Sequence, residues 1–205
     1  MVRDQREPAG PIGLGTSGTW IYLEALSVEN ASEFDEIDLL RELQPEMVAS
    51  RSPRGASPFG PPMLVRERAS GQAVGVVENR PLPGSVAVFV IYLDSHGRRR
   101  GYGFEAACLY ISHLFDSGAR LVTAEILEFN THMIGIMRKV GIEPQARFRE
   151  HVYSAGAFWD MIIYSFDGAQ WRGIVNRYRR MLPGGGRAPA AIGGSRLRPR
   201  TRPSR

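Results

Sequence analysis

The sequence predicts an α/β (α+β) fold, a mixed central sheet with helices on both faces, and three stretches carry that prediction. The run "SVAVFVIYLD" (85–94) is long, β-branched and aromatic, the composition of a central strand. Soon after it, "GYGFEAACLYISHLFDSG" (101–118) puts Phe104, Cys108, Ile111 and Phe115 on one helical face, and Gly118 supplies a C-terminal stop. Ahead of the central strand, "MLVRER" and "QAVGVVEN" are joined across Ser70-Gly71 and read as a hairpin.

The other elements follow in order. "TWIYLEAL" (19–26) reads as a strand. "SEFDEIDLLREL" (32–43) spaces Phe34, Ile37 and Leu40 as a helix does, with Ser32 as its N-cap. "ASRSPRGASPFGPP" (49–62) is rich in breakers and reads as a loop. Beyond the central helix come the strand "RLVTAEILEF" (120–129) and the short helix "NTHMIGIMRKVG" (130–141), which ends at Gly141. "ARFREHVYSAGAFWDMIIYSF" (146–166) reads as two strands around Ser154–Gly156, and "AQWRGIVNRYRRML" (169–182) as a closing amphipathic piece.

The chain has 205 residues, 43% hydrophobic and 23% charged, which fits one well-buried domain and argues against a disordered chain. Residues 1–18 read as a flexible leader, 19–182 as the folded domain and 183–205 as an Arg-rich disordered tail. No apolar run approaches the roughly 20 residues of a membrane span, and the first residues lack the apolar core of a signal peptide. One cysteine excludes an internal disulfide framework and fits a reducing cytoplasm. Cys108 lies on the apolar helical face, so it reads as a small buried hydrophobe. The four histidines lie far apart and show no metal-ligand spacing, so no metal is expected.

The leader holds a Gly-x-Gly-x-x-Gly match at Gly13, Gly15 and Gly18, but a dinucleotide-binding loop needs a strand before it and a helix after it. Here a strand follows, so the match fails its context test. The stretch "RRRGYG" passes a similar one, because it lies between the central strand and the amphipathic helix. The first N–H groups of a helix lack partners within it, and the helix dipole adds positive charge there. Gly101 and Gly103 remove Cβ atoms that would hold a phosphate away, and Arg98, Arg99 and Arg100 add attraction and bidentate contacts. Together they describe a pyrophosphate cradle. No Gly-Lys-Ser/Thr occurs, so it is not the ATP-type loop.

At these residues the sequence resembles the GCN5-related N-acetyltransferase (GNAT) superfamily, and most closely its ribosomal-protein N-terminal acetyltransferase branch. The family's loop pattern Arg/Gln-x-x-Gly-x-Gly/Ala is met by Arg98, Gly101 and Gly103, with Tyr102 between the glycines and Glu105-Ala106 after them. The branch segment Asn-x-x-Ser-x-x-Leu-x-x-Lys-x-Gly-Phe is echoed by Asn130, Lys139 and Gly141, with Ile136 and Ile142 as hydrophobic stand-ins. "GAFWDMIIYSF" echoes a late Gly-x-x-x-Asp motif.

The resemblance implies acetyl transfer from acetyl-CoA to a primary amine, without a metal. It also implies that the strand before the loop and the strand after its helix splay apart around the cofactor arm. Backbone of Ile91, Tyr92 and Leu93 would then bind that arm and polarise the thioester carbonyl. Asn130 would bond the arm or serve as a helix N-cap, and both readings stand. Acid–base residues depart from the family pattern. Val88 and Met137 occupy positions where relatives carry an acid and a tyrosine, and Met133 replaces the segment's serine. Glu128 is the preferred base, with Glu125 and His132 behind it. Asp160 reads as structural, and Tyr153, Phe158 and Trp159 as hairpin core or cleft wall. By family analogy, the loop 49–62 borders the acceptor site.

Six of the chain's 26 basic residues fall in 183–205 and none of its 21 acidic ones, so the folded body is near neutral. The tail reads either as a solvated extension or as an arm for an acidic macromolecule, RNA or a carrier protein. Accordingly, two alternatives accompany acetyl-CoA-dependent transfer. One is a donor on a carrier protein or tRNA; the other is a module that binds coenzyme A without turnover.

Overall fold

The computed structural model describes residues 17–36, 57–98, 100–154 and 156–181. Most of the expected leader, residues 49–56 of the loop, the helix beyond Glu36, Arg99 and the tail 183–205 lie outside these residues. Strands β1 (Ile21–Ala25), β2 (Met63–Glu67), β3 (Ala73–Leu82), β4 (Val86–Leu93), β5 (Leu121–Leu127), β6 (Pro144–Ser154) and β7 (Ala157–Asp167) form one sheet in the order β1-β2-β3-β4-β5-β7-β6. Among the described strands, only β4 and β5 pair in parallel. The expected mixed sheet is present.

Helices α1 (Ala31–Glu36), α2 (Ser95–Arg98), α3 (Tyr102–Asp116), α4 (Thr131–Val140) and α5 (Gly168–Met181) complete the described fold. The single turn α2 inside "SHGRRR" was not foreseen. Asp94 makes it, accepting the Gly97 amide at 2.6 Å on its side chain and the Arg98 amide at 3.0 Å on its carbonyl. Helix α1 starts one residue before the expected cap Ser32. Asn30 takes that place, its side chain bridging the Ser27 amide at 2.7 Å and the Ala25 carbonyl at 3.2 Å. Arg66 on β2 then ties α1 to the sheet through a two-pronged contact with Glu33 at 2.8 and 2.9 Å.

Alternation decides the two faces of the sheet. Ala87, Phe89, Val122, Ala124, Ile126, Ile162, Tyr164 and Phe166 point into the main core with α3, α5 and part of α4. Leu64 and Val76 point the other way, with Tyr92 packed against them. Cys108 is buried in the main core, as its helical face implied. Helix α5 docks through Trp171, whose indole N–H donates to Ser112 at 3.1 Å while its ring stacks on Phe166. Both glycine stops hold: Gly141 is left-handed at φ 75° with its amide on the last turn of α4, and Gly118 follows α3 at φ 97°.

One buried carboxylate fixes the entry of the chain into the sheet. Glu105 on α3, 2% exposed, accepts the backbone amides of Thr19 at 2.6 Å, Trp20 at 3.0 Å and Ile21 at 3.1 Å. Gly18 makes room for it, since a Cβ there would stand 2.6 Å from the carboxyl carbon. Thus the third glycine of the rejected dinucleotide match has a packing reason. Replacing Glu105→Ala strands three amide donors at the start of β1, and the expected loss is about 3 kcal/mol in urea unfolding. A loss below about 1 kcal/mol would contradict this role.

Candidate active site

The parallel ladder between β4 and β5 is short. It joins Val86 to Leu121, Ala87 to Val122, Val88 to Thr123 and Phe89 to Ala124, and then stops. Beyond it β4 keeps pairing with β3 up to Leu93, and β5 with β7 up to Leu127. The two strand ends therefore diverge, as the resemblance implied.

Glycines explain the lean of β4. Leu93 faces Gly75 on β3, where an added Cβ would stand 2.3 Å from the Tyr92 carbonyl and 2.6 Å from one Leu93 methyl. The other Leu93 methyl lies 3.0 Å from the Cβ position of Gly103 on α3. Leu93 is thus keyed into hollows left by two glycines, which lets the end of β4 crowd onto β3 and away from β5. Gly103 was expected to clear space for a phosphate; its missing side chain accommodates Leu93. Gly101 has open space around its Cβ position, and what it supplies is the left-handed turn, φ 78°, that starts α3.

The Asp94 amide donates to the Val74 carbonyl at 2.9 Å, which sets the alternation along β4. Backbone groups of Val88, Val90 and Tyr92 turn to β3, and those of Phe89, Ile91 and Leu93 turn towards β5. Ser85 follows the same parity, its carbonyl accepting the Arg120 amide at 2.7 Å. In the gap, Ile91 and Leu93 therefore present their backbone, whereas the Tyr92 backbone is committed to β3. The Leu93 carbonyl accepts Arg98 Nε at 2.9 Å.

At the gap's mouth α3 begins with no side-chain cap on its N-terminus, which leaves its first amides for an anion. The neighbouring side chains hold one another. Glu67, at the end of β2 and 6% exposed, accepts the Tyr102 O–H at 2.6 Å and Arg100 Nη1 at 3.0 Å on the same oxygen. Its other oxygen accepts the Ser70 O–H at 2.7 Å, and His96 Nε2 stands 3.4 Å from the first. The Tyr102 hydroxyl, with Ser70, His96 and Arg100 behind it, holds the Glu67 carboxyl down at about 2. The same hydrogen bond raises the Tyr102 phenol. Nothing in the sequence pattern marked Glu67, which lies 33 residues before Arg100.

The carboxylates separate by face. Glu128 has one oxygen on Arg147 Nη2 at 2.7 Å and the other on the Asp160 amide at 3.1 Å. Asp160 in turn accepts Arg147 Nε at 2.5 Å and the Glu150 amide at 2.8 Å. Glu128 and Asp160 thus brace the β5 end against the β6–β7 hairpin. Glu125, between the core-facing Ala124 and Ile126, points to the opposite face. There Arg80 reaches from β3 across β4 to Glu125 at 2.7 Å, beside the point where the ladder ends. Asn130 caps α4, its side-chain oxygen accepting the Met133 amide at 3.2 Å. Phe158 and Tyr153 are 61% and 56% exposed, so they are not hairpin core, while Trp159 packs edge-on against Phe129 beside the β5 end. Of the loop 49–62, the described residues 57–62 are pinned to β3 and α3: Ser57 bonds Asn79 at 2.5 Å, and Tyr110 donates to the Pro61 carbonyl at 3.3 Å.

Among the described residues no acidic, cysteine or histidine cluster could hold a metal ion, and no helix is long and apolar enough to cross a membrane. A diverging parallel pair below an uncapped helix terminus is the layout of a transferase that threads a phosphate-bearing cofactor arm through its sheet. Residues 30–143, more than half of the 205, match the model of the acetyltransferase (GNAT) domain. The chain belongs to the GNAT acetyltransferase family, and its reaction is acyl transfer from acetyl-CoA.

The fold is similar to that of a GCN5-related N-acetyltransferase from Brucella melitensis, with TM-score 0.63 and 19% identity over 80% of this chain and 83% of that one. It is also similar to an N-acetyltransferase from Staphylococcus aureus Mu50, with TM-score 0.59 and 17% identity over 73% and 99%. A ribosomal-protein-S5-alanine acetyltransferase from Vibrio fischeri gives TM-score 0.59 and 13% identity over 76% and 97%. No curated protein matches the sequence.

The Glu67 cluster carries a pH signature. A carboxyl held at about 2, against an ordinary 4.5, stabilises the fold above the ordinary value. That contribution fades as pH falls from about 4.5 towards about 2. Melting temperature should therefore drop more steeply over this window in the wild type than in Glu67→Gln. Parallel acid limbs would contradict the assignment.

Proposed function

We propose that the acceptor is a primary amine, on a small molecule or a protein N-terminus, and that it meets the donor in the gap between β4 and β5. The observation that carries this reading is the pair of unmated strand ends directly below the uncapped start of α3. When bound, acetyl-CoA supplies a thioester whose acyl carbon is open to attack. Its phosphates suit the first amides of α3 with Arg98 alongside, and Arg99, next to it in the sequence, adds positive charge. Arg100 and Tyr102 contribute through their hold on the turn at Gly101. Ile91 and Leu93 offer backbone to the arm, and the Asn130 side-chain nitrogen remains for it while the oxygen caps α4. The single cysteine, buried, fits a reducing compartment, the cytoplasm.

Because α3 and α5 fill the core face, the amine approaches from the other face, where Arg80 and Glu125 lie. An alkylamine is mostly protonated at neutral pH, so a base must take a proton before the amine's lone pair can attack. The C–S bond then breaks, with coenzyme A leaving as the thiol. Both carboxylates are ion-paired. Glu128 has both oxygens engaged, by Arg147 and the Asp160 amide, whereas Glu125 has one oxygen on Arg80 and points to the acceptor face, and we assign the proton to it. Phe129 and Trp159 flank that approach and suit an apolar group beside the amine.

A second reading has its own support. Tyr178 packs edge-on to Phe104 at 4.8 Å, so α5 delivers the chain beside the first turn of α3. Six arginines and no acid follow in 183–205. This favours an arm that attracts an acidic macromolecular donor, a carrier-protein thioester or an aminoacyl-tRNA, to the same cleft.

Steady-state acetylation across an amine panel tests both readings. Glu125→Gln should lower kcat about 100-fold with the KM for acetyl-CoA unchanged, and Glu128→Gln should lower it far less. The larger loss in Glu128→Gln would return the proton to that residue. A chain ending at residue 182 with unchanged activity on acetyl-CoA and on acyl-carrier protein would remove the second reading.

A further inference from the structure

We propose that Glu67 is the positioning residue of the acetyl-CoA loop, a single carboxylate from β2 that fastens both sides of the left-handed turn at Gly101. The inference rests on the donor-site reading above. Arg100 precedes Gly101 and Tyr102 follows it, and both side chains end on Glu67 Oε1, at 3.0 and 2.6 Å. Glu67 is itself anchored. Its backbone amide donates to the Gln72 carbonyl at 2.9 Å, its carbonyl accepts the Gly71 amide at 2.8 Å, and its Oε2 accepts the Ser70 hydroxyl at 2.7 Å. The fixed point is therefore a tight hairpin turn of the sheet, and the loop hangs from it.

Gly101 is the place where such a fastening matters. Its left-handed backbone aims the first amides of α3, and a glycine by itself has more conformational freedom than any other residue. A site organised before binding avoids the cost of ordering that loop when the anion arrives. Arg100 and Tyr102 supply the organisation through Glu67, and Tyr102, 6% exposed, has its ring in the core beneath the turn.

The sign of the effect separates positioning from plain electrostatics. A carboxylate close to a phosphate site repels the phosphate, so by charge alone its removal tightens binding. If Glu67 positions the loop, removing the negative charge weakens binding of a negatively charged ligand. A residue that serves only the general stability of the fold moves neither quantity at temperatures well below melting.

Calorimetric titration of the full chain with acetyl-CoA, together with donor and acceptor kinetics, reads this out for wild type, Glu67→Gln, Tyr102→Phe and the double variant. Glu67→Gln should raise the Kd and KM for acetyl-CoA about tenfold, the size of one charge-assisted hydrogen bond. At saturating donor, kcat and the acceptor KM should stay within about twofold. Tyr102→Phe, which removes one arm and leaves the carboxylate, should weaken binding in the same direction. The double variant should lose less than the product of the two single losses, because both act through one contact. Should Glu67→Gln fail to fold, Tyr102→Phe carries the test alone. Unchanged or tighter acetyl-CoA binding in the folded variants overturns the proposal. A wild type that binds no acetyl-CoA overturns the donor-site reading, and this inference with it.

Discussion

The gap between β4 and β5 depends on one packing constraint, the seating of Leu93 between Gly75 and Gly103. A β4 that stayed in register with β5 beyond Phe89 would close the sheet, and no backbone would be left for a ligand. Leu93 prevents this because its methyl groups occupy space that two side chains would otherwise fill, one on β3 and one on α3. The end of β4 goes with it. Each strand end then stays fixed by its outer neighbour, β3 for β4 and β7 for β5, so the gap is held open from both sides. The Leu93 carbonyl already accepts Arg98 Nε, but the Ile91 backbone and the Leu93 amide face the gap, where they are costly to leave without water or a ligand.

Charge is then distributed over that frame with little redundancy. The arginines of "GRRRG" are not equivalent: Arg100 is spent on Glu67, and Arg98 reaches back to the Leu93 carbonyl. Beside these two, the proposed anion site has the oriented amide dipoles of the first turn of α3, with guanidinium charge as support. Ion pairs elsewhere brace the cleft rather than fill it. Arg147 ties Glu128 and Asp160 at the β5 end, and Arg80 spans β4 to reach Glu125 at the fork. Both are partly exposed, so their value lies in geometry more than in stability.

Local features of the fold were legible because local chemistry sets them. Turn residues and β-branched, aromatic composition marked β2 to β4, helical spacing marked α3, and Gly118 and Gly141 end their helices as their positions suggest. The junction of β4 with α3 at Gly101 was legible for the same reason, since its residues are consecutive. What escaped depends on partners far away in the chain. Glu105 reads as a helical glutamate until the amides of Thr19, Trp20 and Ile21 are seen around it. Glu67 reads as a strand-end acid until Arg100 and Tyr102 converge on it. Nothing local marks Gly75, and its reason lies in Leu93, a neighbour across the sheet. The displacement of the α1 start from Ser32 to Asn30 has the same cause: Asn30 bonds back to Ala25 and Ser27, contacts made by the end of β1.

The central claim is that β4 alternates in use, with Tyr92 bonded within the sheet and Ile91 and Leu93 turned to the gap that the donor arm completes. Residue-resolved amide hydrogen exchange of the whole chain, with and without acetyl-CoA, tests it most directly. The account predicts slow exchange at Tyr92 in both states, and fast exchange at Ile91 and Leu93 that slows when acetyl-CoA binds. Equal protection of all three amides in the free protein, or bound acetyl-CoA that leaves Ile91 and Leu93 unchanged, would contradict it.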